Sequence, residues 1–163
     1  MNVEFVLSVA VFLLIVSVLS YNILSSLPGF HSESVKDITR SKAYQVSEIL
    51  LKDEGEPSDW NTKPIGNIKR IGLSGGQPFI LNEDKITELY DLCTDNYEEV
   101  LGLFGLEKNT LIINITDLDG NSVLGGGKEI CKPKIISETA PKFWIYRFGI
   151  LGSEIVKVRV LVY

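Results

Sequence analysis

The sequence predicts an α+β fold in which a long N-terminal helix, apolar in its first half and amphipathic in its second, packs against a C-terminal antiparallel sheet. An apolar run without charge extends from Phe5 to Leu27, and an amphipathic stretch follows it. The C-terminal third alternates apolar and polar residues with the two-residue period of strands. We therefore predict an apolar helix over residues 1–30 and a globular domain over residues 31–163 that includes the amphipathic half of the helix.

The apolar run is long enough to cross a bilayer, because about 23 residues at about 1.5 Å each span roughly 35 Å. A secretory signal has a basic start and a short apolar core, whereas the first basic residue here is Lys36. A stable anchor usually carries basic residues on its cytoplasmic side. We therefore expect that the basic residues that orient such a helix have been removed, and that the chain starts at or near the N-terminus of a processed protein. A plain single-pass anchor is the alternative.

The second half of the helix is predicted to be amphipathic. Pro28-Gly29 is expected to break or kink the helix before it. A helical stretch from about Ser34 to Lys52 then places five apolar residues on one face: Val35, Ile38, Val46, Ile49 and Leu50. This face needs a partner that the rest of the chain must supply.

The partner is predicted further along the chain. One short helix is expected from Asn82, its cap, to about Leu92. A second is expected from Asp95 or Asn96 to Phe104, where Gly105 ends it. Strands are expected over Thr110–Thr116, Lys142–Leu151 and Glu154–Tyr163. The Asp119-Gly120 pair is a hairpin signal that predicts a return strand over 122–124. Four valines of the last strand form the apolar face that the amphipathic helix can cover: Val156, Val158, Val160 and Val162.

The composition argues against several functions. The net charge is −5 and no basic cluster occurs, which disfavours nucleic acid as a partner. The sole histidine, His31, lies where the apolar run would leave a membrane, so no Ser-His-Asp or Cys-His set can be assembled around it. We expect no enzyme, no cofactor and no metal site. The acidic turn from Asp117 to Asn121 has a faint likeness to a calcium loop, but turn chemistry explains it better.

Two covalent features are candidates. Cys93 and Cys131 form an even pair without metal-ligand spacing, which indicates a disulfide in an exported chain. Two buried free thiols are the alternative for a cytosolic one. Asn114-Ile115-Thr116 is a glycosylation sequon, and strand alternation predicts that Asn114 is exposed. A sugar there and an unmodified strand asparagine both stay open.

These features resemble the type IV pilin superfamily, in particular archaeal pilin-like subunits. The segment Asn2-Val3-Glu4-Phe5-Val6-Leu7 looks like the Ser-x-Glu-Phe-type start of those proteins. Further likeness lies in Gly55-Glu56-Pro57-Ser58-Asp59-Trp60-Asn61 with Ile71-Gly72-Leu73, and in the closing hairpin from Arg147 to Val158. The resemblance departs at Glu4, which stands one position early, and no leader is visible.

The resemblance implies a pilin-like fold and a structural role as a subunit of an extracellular, cell-surface filament of identical subunits. A prepilin peptidase would cut the leader, and pilus assembly machinery would move the helix from the cytoplasmic membrane into the filament core. The glycine pattern of archaellins is missing, which favours adhesion or attachment over motility. The alternatives are a minor, pseudopilin-like subunit and a single-pass membrane-anchored ectodomain that binds a ligand or partner.

The resemblance also implies residue roles. Glu4 would pair with the α-amino group of an adjacent subunit's first residue, Met1 in this numbering, and would set the register between subunits. A carboxylate at the level of the lipid headgroups is the alternative for Glu4. Packing in the filament core would fall to six residues: Phe5, Leu7, Ala10, Phe12, Leu13 and Val16.

Overall fold

The computed structural model describes residues 3–107, 109–124, 129–133 and 142–163, with the side chains of 26–32 outside the description. The predicted α+β class is confirmed. Two single-turn 3-10 helices lie at Trp60–Thr62 and Ile65–Asn67. The remaining elements, in chain order, are α1 (Val3–Lys52), β1 (Gly55–Glu56), β2 (Arg70–Ile71), β3 (Ile80–Leu81), α2 (Glu83–Asp95), α3 (Tyr97–Leu103), β4 (Leu111–Thr116), β5 (Phe143–Leu151) and β6 (Glu154–Val162).

The first helix continues through Pro28-Gly29. α1 is a single helix of 50 residues, so the expected break at this pair is wrong. A proline removes one backbone hydrogen bond, and the helix continues on both sides of it. The chain divides into two compact units, Met1–Ile38 and Thr39–Tyr163, and α1 contributes to both.

The buried half of α1 begins later than the apolar pattern predicts. Ala43, Val46, Leu50 and Leu51 are buried in the core of the globular unit. Val35 and Ile38 are exposed, with Ile38 at 55 %. The predicted apolar face is therefore correct at Val46 and Leu50, and Ile49 is half-buried. It is wrong at its first two positions, because burial requires a core and the globular unit begins only at Thr39.

The main sheet has four strands in the order β3-β5-β6-β4. β6 pairs antiparallel with β5 and β4, while the short β3 pairs parallel with β5. The four predicted valines of β6 are buried and share one core with Ile113, Ile115 and the second half of α1. The predicted packing of the amphipathic helix against the C-terminal sheet is confirmed.

The predicted return strand over 122–124 does not form. A bridge joins Thr116 to Ser122 and the Val123 N–H donates to the Ile115 carbonyl at 3.1 Å, on the edge of β4 that does not face β6. The pairing goes no further because residues 130–131 occupy that edge at Ile113, whose N–H donates to the Cys131 carbonyl at 3.0 Å and whose carbonyl accepts from the Ile130 N–H at 2.8 Å. The turn itself is closed by Asn121, which donates from its backbone N–H to Asp117 Oδ1 and from Nδ2 to Asp117 Oδ2, both at 2.8 Å. These hydrogen bonds lower the pKa of Asp117, as turn chemistry requires.

The helices α2 and α3 follow their predicted signals. Asn82 caps α2, since its side chain accepts a hydrogen bond from the Lys85 backbone N–H at 3.1 Å. Gly105, with φ of 66°, follows α3 in the left-handed conformation that favours glycine. The predicted disulfide is confirmed: Cys93 of α2 is bonded to Cys131, whose backbone bridges to Ile113 of β4. The bond therefore ties α2 to the edge of the sheet.

Trp60 explains the spacing of the glycines around it. Its ring is fully buried and its Nε1–H donates to the Gly72 carbonyl at 2.8 Å. A Cβ at Gly55 would lie 2.3 Å from Trp60 Cδ1, and one at Gly72 would lie 2.1 Å from the Asp53 carbonyl oxygen. Gly55 is therefore needed for the close approach of the backbone to the indole, and Gly72 for its close approach to Asp53.

Candidate functional site: an exposed apolar helix

The most unusual surface of the protein is the N-terminal part of α1. From Val3 to Ser25 every side chain is exposed, including Phe5 at 68 % and Phe12 at 64 %. A soluble monomer rarely exposes a continuous apolar patch of this size. A helix that is apolar all round belongs inside another apolar medium, either lipid or a packed assembly.

This stretch is the one helix in the described part of the chain that is long and apolar enough to cross a membrane. It has 23 residues and lies near the N-terminus. By length and composition such a helix can anchor a protein in a membrane or act as a signal sequence.

The polar side chains at the end of this stretch bond to the helix that carries them. Asn22 Nδ2 donates to the Val18 carbonyl at 2.8 Å, and Ser25 Oγ donates to the Asn22 carbonyl at 3.0 Å. Each bond supplies a partner to a donor that would otherwise be costly in an apolar medium. These two positions therefore do not prevent burial of the helix.

Glu4 is the one charged residue between residues 3 and 25. It lies in the first turn of α1, where the positive end of the helix dipole favours a carboxylate. The first basic residue along α1 is Lys36, about 48 Å further along the helix axis. A carboxylate at Glu4 inside an apolar medium therefore needs a cation from outside this helical segment. Met1, its predicted partner position, lies outside the described residues.

The six predicted packing residues are distributed around the helix. Phe5, Phe12 and Val16 share one side at spacings of seven and four residues, and Leu13 lies beside them. Leu7 and Ala10 lie on the opposite side. All six side chains are exposed in the single chain. The helix can therefore contact apolar neighbours on more than one side, as it would in a bundle.

Polar contacts that sequence reasoning missed fix the second half of α1 to the sheet. Arg147 of β5 points its Nη2 to Glu48 Oε1 at 3.1 Å and places its guanidinium 4.6 Å from the Tyr44 ring centre. Glu48 also pairs with Lys52, and the hydrogen bond from Lys52 together with the charge of Arg147 lowers the pKa of Glu48. The sequence does indicate this contact at one position, because Arg147 is a charged residue on the inner side of an alternating strand and therefore needs a partner there.

Asn114 lies on the outer face of the sheet, beside Arg159 of β6. Its side chain is half-buried, and its Oδ1 is enclosed without a hydrogen-bond partner. The expected full exposure is therefore wrong, because Tyr146 and Arg159 line the same small cleft. This placement favours the unmodified asparagine over a glycosylated one.

No protein-family model matches the chain, and neither the curated proteins nor the solved structures contain a match. The arrangement that remains is an N-terminal apolar helix followed by an α+β globular unit, which is compatible with a pilin-like fold.

Proposed function

We propose that this chain is the structural subunit of an extracellular type IV-like pilus that serves adhesion or attachment. Identical subunits polymerise through the apolar part of α1, and the globular unit forms the filament surface. The chain resides in the cytoplasmic membrane before assembly, after a prepilin peptidase has removed a leader, and pilus assembly machinery extracts it. No catalytic residue, cofactor or nucleic acid is needed for this role.

One observation supports the proposal above the others. The same helix carries an exposed and mainly apolar stretch of 23 residues at its start and a half that is buried under a sheet at its end. A membrane anchor needs only the first part and a soluble domain only the second. Their fusion into one helix lets a globular unit present an apolar helix to its neighbours.

The assembly step exchanges lipid for neighbouring helices around α1. Lipid tails and apolar side chains are equally hydrophobic, so packing and hydrogen bonding decide which surroundings are preferred. Small residues such as Ser8, Ala10 and Ser17 allow close approach of neighbouring helices. The helix has apolar surroundings both in the membrane and in the filament. Filament growth therefore depends on how closely neighbouring helices pack.

Glu4 gives the filament its axial register in this proposal. An unpaired carboxylate in the filament core would be strongly destabilising, whereas pairing with the α-amino group of an adjacent subunit neutralises both charges. Only one axial offset brings the two groups together. Subunits at other offsets would leave the carboxylate without a partner.

A substitution of Glu4 tests this role. In cells that make only the variant chain, Glu4→Ala should lower the yield of sheared filaments about tenfold or more, because the register contact is lost. Glu33→Ala is the matched control, since it removes an exposed acid from the same helix. Filaments of normal yield and length from Glu4→Ala would remove the register role from this residue.

The single-pass ectodomain is the second candidate, favoured by the exposed aromatic side chains of β5. The native N-terminus and the location of the chain discriminate between the two. A chain shortened at or near Met1 and recovered in filaments supports the pilin. A longer chain found only as a membrane-bound monomer supports the ectodomain.

A further inference from the structure

The outer face of the main sheet is apolar, aromatic and basic. β5 exposes Trp144, Tyr146 and Phe148 on this face, with Tyr146 at 54 % and Phe148 at 58 %. Lys157 and Arg159 of β6 lie in register beside Phe148 and Tyr146. Arg159 places its guanidinium 4.5 Å from the Trp144 ring centre. We call the surface formed by these five residues the basic-aromatic face.

A second surface of the same globular unit has the opposite charge. α2 and α3 expose acids along their length, and the one basic residue described between 83 and 107, Lys85, is buried. Three of these acids, Asp95, Glu98 and Glu99, line a cleft of about 640 Å³ next to the start of β4, together with Glu107, which follows α3. Among the described residues, none of the four takes part in an ion pair. We call this surface the acidic cleft.

The two surfaces lie at separate places on the globular unit. The acidic cleft borders the edge of β4 that does not face β6, where the Tyr97 hydroxyl donates to the Leu111 carbonyl at 2.8 Å and accepts from the Leu111 N–H at 2.9 Å. The inner residues of α2 and α3 belong to the same core as the inward valines of β6. The basic-aromatic face projects from the other side of that sheet, since strand neighbours alternate between faces. None of the five residues of the basic-aromatic face lines the acidic cleft, so a contact between the two surfaces requires two copies.

We propose that the basic-aromatic face of one subunit binds the acidic cleft of the next, in a contact that rests on the proposed filament and adds a second interface to it. The occupant of the face is thus a second copy of this chain. Opposite charges meet across the contact, and the aromatic side chains are removed from water. Because two different surfaces are joined, the contact is heterologous and repeats along an open chain of subunits instead of closing a dimer.

Charge reversal of each surface tests the contact with the full chain in cells. The sheet variant carries Lys157→Glu and Arg159→Glu, and the cleft variant carries Glu98→Lys and Glu99→Lys. Each variant alone should lower the yield of sheared filaments about tenfold or more, because like charges then face each other. Cells that make both variants together should recover filaments, since each reversed surface then meets a complementary one. A chain with all four changes should recover them as well.

The matched control reverses two exposed lysines away from both surfaces, Lys63→Glu and Lys69→Glu, with the same change in net charge as the sheet variant. It should assemble normally. Equal thermal unfolding of all variants in detergent shows that they fold, so failed recovery in the mixed cells would overturn the heterologous contact. Normal filaments from the single-surface variants would also overturn it, while the filament itself stands.

Failure of the proposed function gives a different result, namely no filaments from the unmodified chain. Peptide mass spectrometry adds an independent check at Asn114, which lies on the sheet beside Arg159. The contact requires an unmodified asparagine there. A sugar on Asn114 in filaments would overturn the contact, because it would cover the basic-aromatic face.

Discussion

At the scale of the residue, Lys85 is a charged side chain enclosed by the globular unit. It is 5 % exposed, and its Nζ donates to the Glu54 and Ser74 carbonyls at 2.8 and 2.9 Å. The ammonium group thereby joins the start of α2 to two loop segments. Sequence reasoning assigned Lys85 no such role, because the two carbonyls come from chain positions 31 and 11 residues away.

Replacing this lysine should destabilise the globular unit. Lys85→Met keeps the apolar stem but leaves both carbonyls without their donor, so the free energy of unfolding should fall by about 1–3 kcal/mol. Urea unfolding of the full chain in detergent, followed by the fluorescence of the buried Trp60, measures this. Lys69→Met is the control, since its ion pair with Glu56 is exposed and contributes little. Equal stability of the two variants would contradict the role of Lys85.

The difference in unfolding free energy between the unmodified chain and Lys85→Met should depend on pH. Burial lowers the pKa of Lys85 from 10.5, against the opposing charges of Glu54, Asp53 and Asp59. Between the lowered pKa and 10.5 the unfolded chain binds more protons than the folded one, so the folded state gains stability as pH rises through this range. The stability of the unmodified chain relative to Lys85→Met should therefore increase with pH there. A difference in stability that stays constant up to pH 10.5 would contradict the lowered pKa of Lys85.

At the scale of the element, α1 contains an exposed part and a buried part. Leu50 is fully buried, whereas Ile38 is 55 % exposed. Leu50→Ala should therefore lower the free energy of unfolding by about 2–5 kcal/mol, since it leaves a cavity in the core. Ile38→Ala should change it by less than about 0.5 kcal/mol. Urea unfolding of both variants checks this. A large loss of unfolding free energy from Ile38→Ala would contradict the account, because it would show that the buried half of α1 begins before Thr39.

Elements with a local signal were predictable. The period of β6, the cap at Asn82 and the apolar run of α1 each depend on residues a few positions apart. The parallel pairing of β3 with β5 and the pairing of β4 with β6 depend on segments far apart in sequence, which a local pattern does not specify. The hairpin signal at Asp119-Gly120 was correct for the turn and wrong for the strand, because residues 130–131 pair with Ile113 on the same edge of β4, which a local signal does not specify.

The residues of the candidate site were also predictable only in part. Glu4 and the apolar residues of α1 could be found from the sequence, because charge and hydropathy are properties of single positions. The basic-aromatic face could not, because it requires the register between β5 and β6. Val35 shows the limit of periodicity, since a residue on the predicted face stays exposed where no core lies against it.

At the scale of the whole molecule, the proposed filament would supply contacts for the surfaces that a single subunit leaves exposed. In the part of the chain that the structure describes, the apolar part of α1 is exposed, no Lys or Arg lies near Glu4 along its helix, and the sheet exposes aromatic side chains. Polymerisation would supply a partner for each. The globular unit would then need no ligand or reaction of its own to account for its surfaces.

The most direct test is electron microscopy of material sheared from the surface of cells that make this chain, with mass spectrometry of the filaments. We expect filaments built from this chain, with the N-terminal part of α1 in the core and the globular unit outside. The contradicting result is a chain that stays in the membrane fraction as a monomer while the sheared material contains none of it.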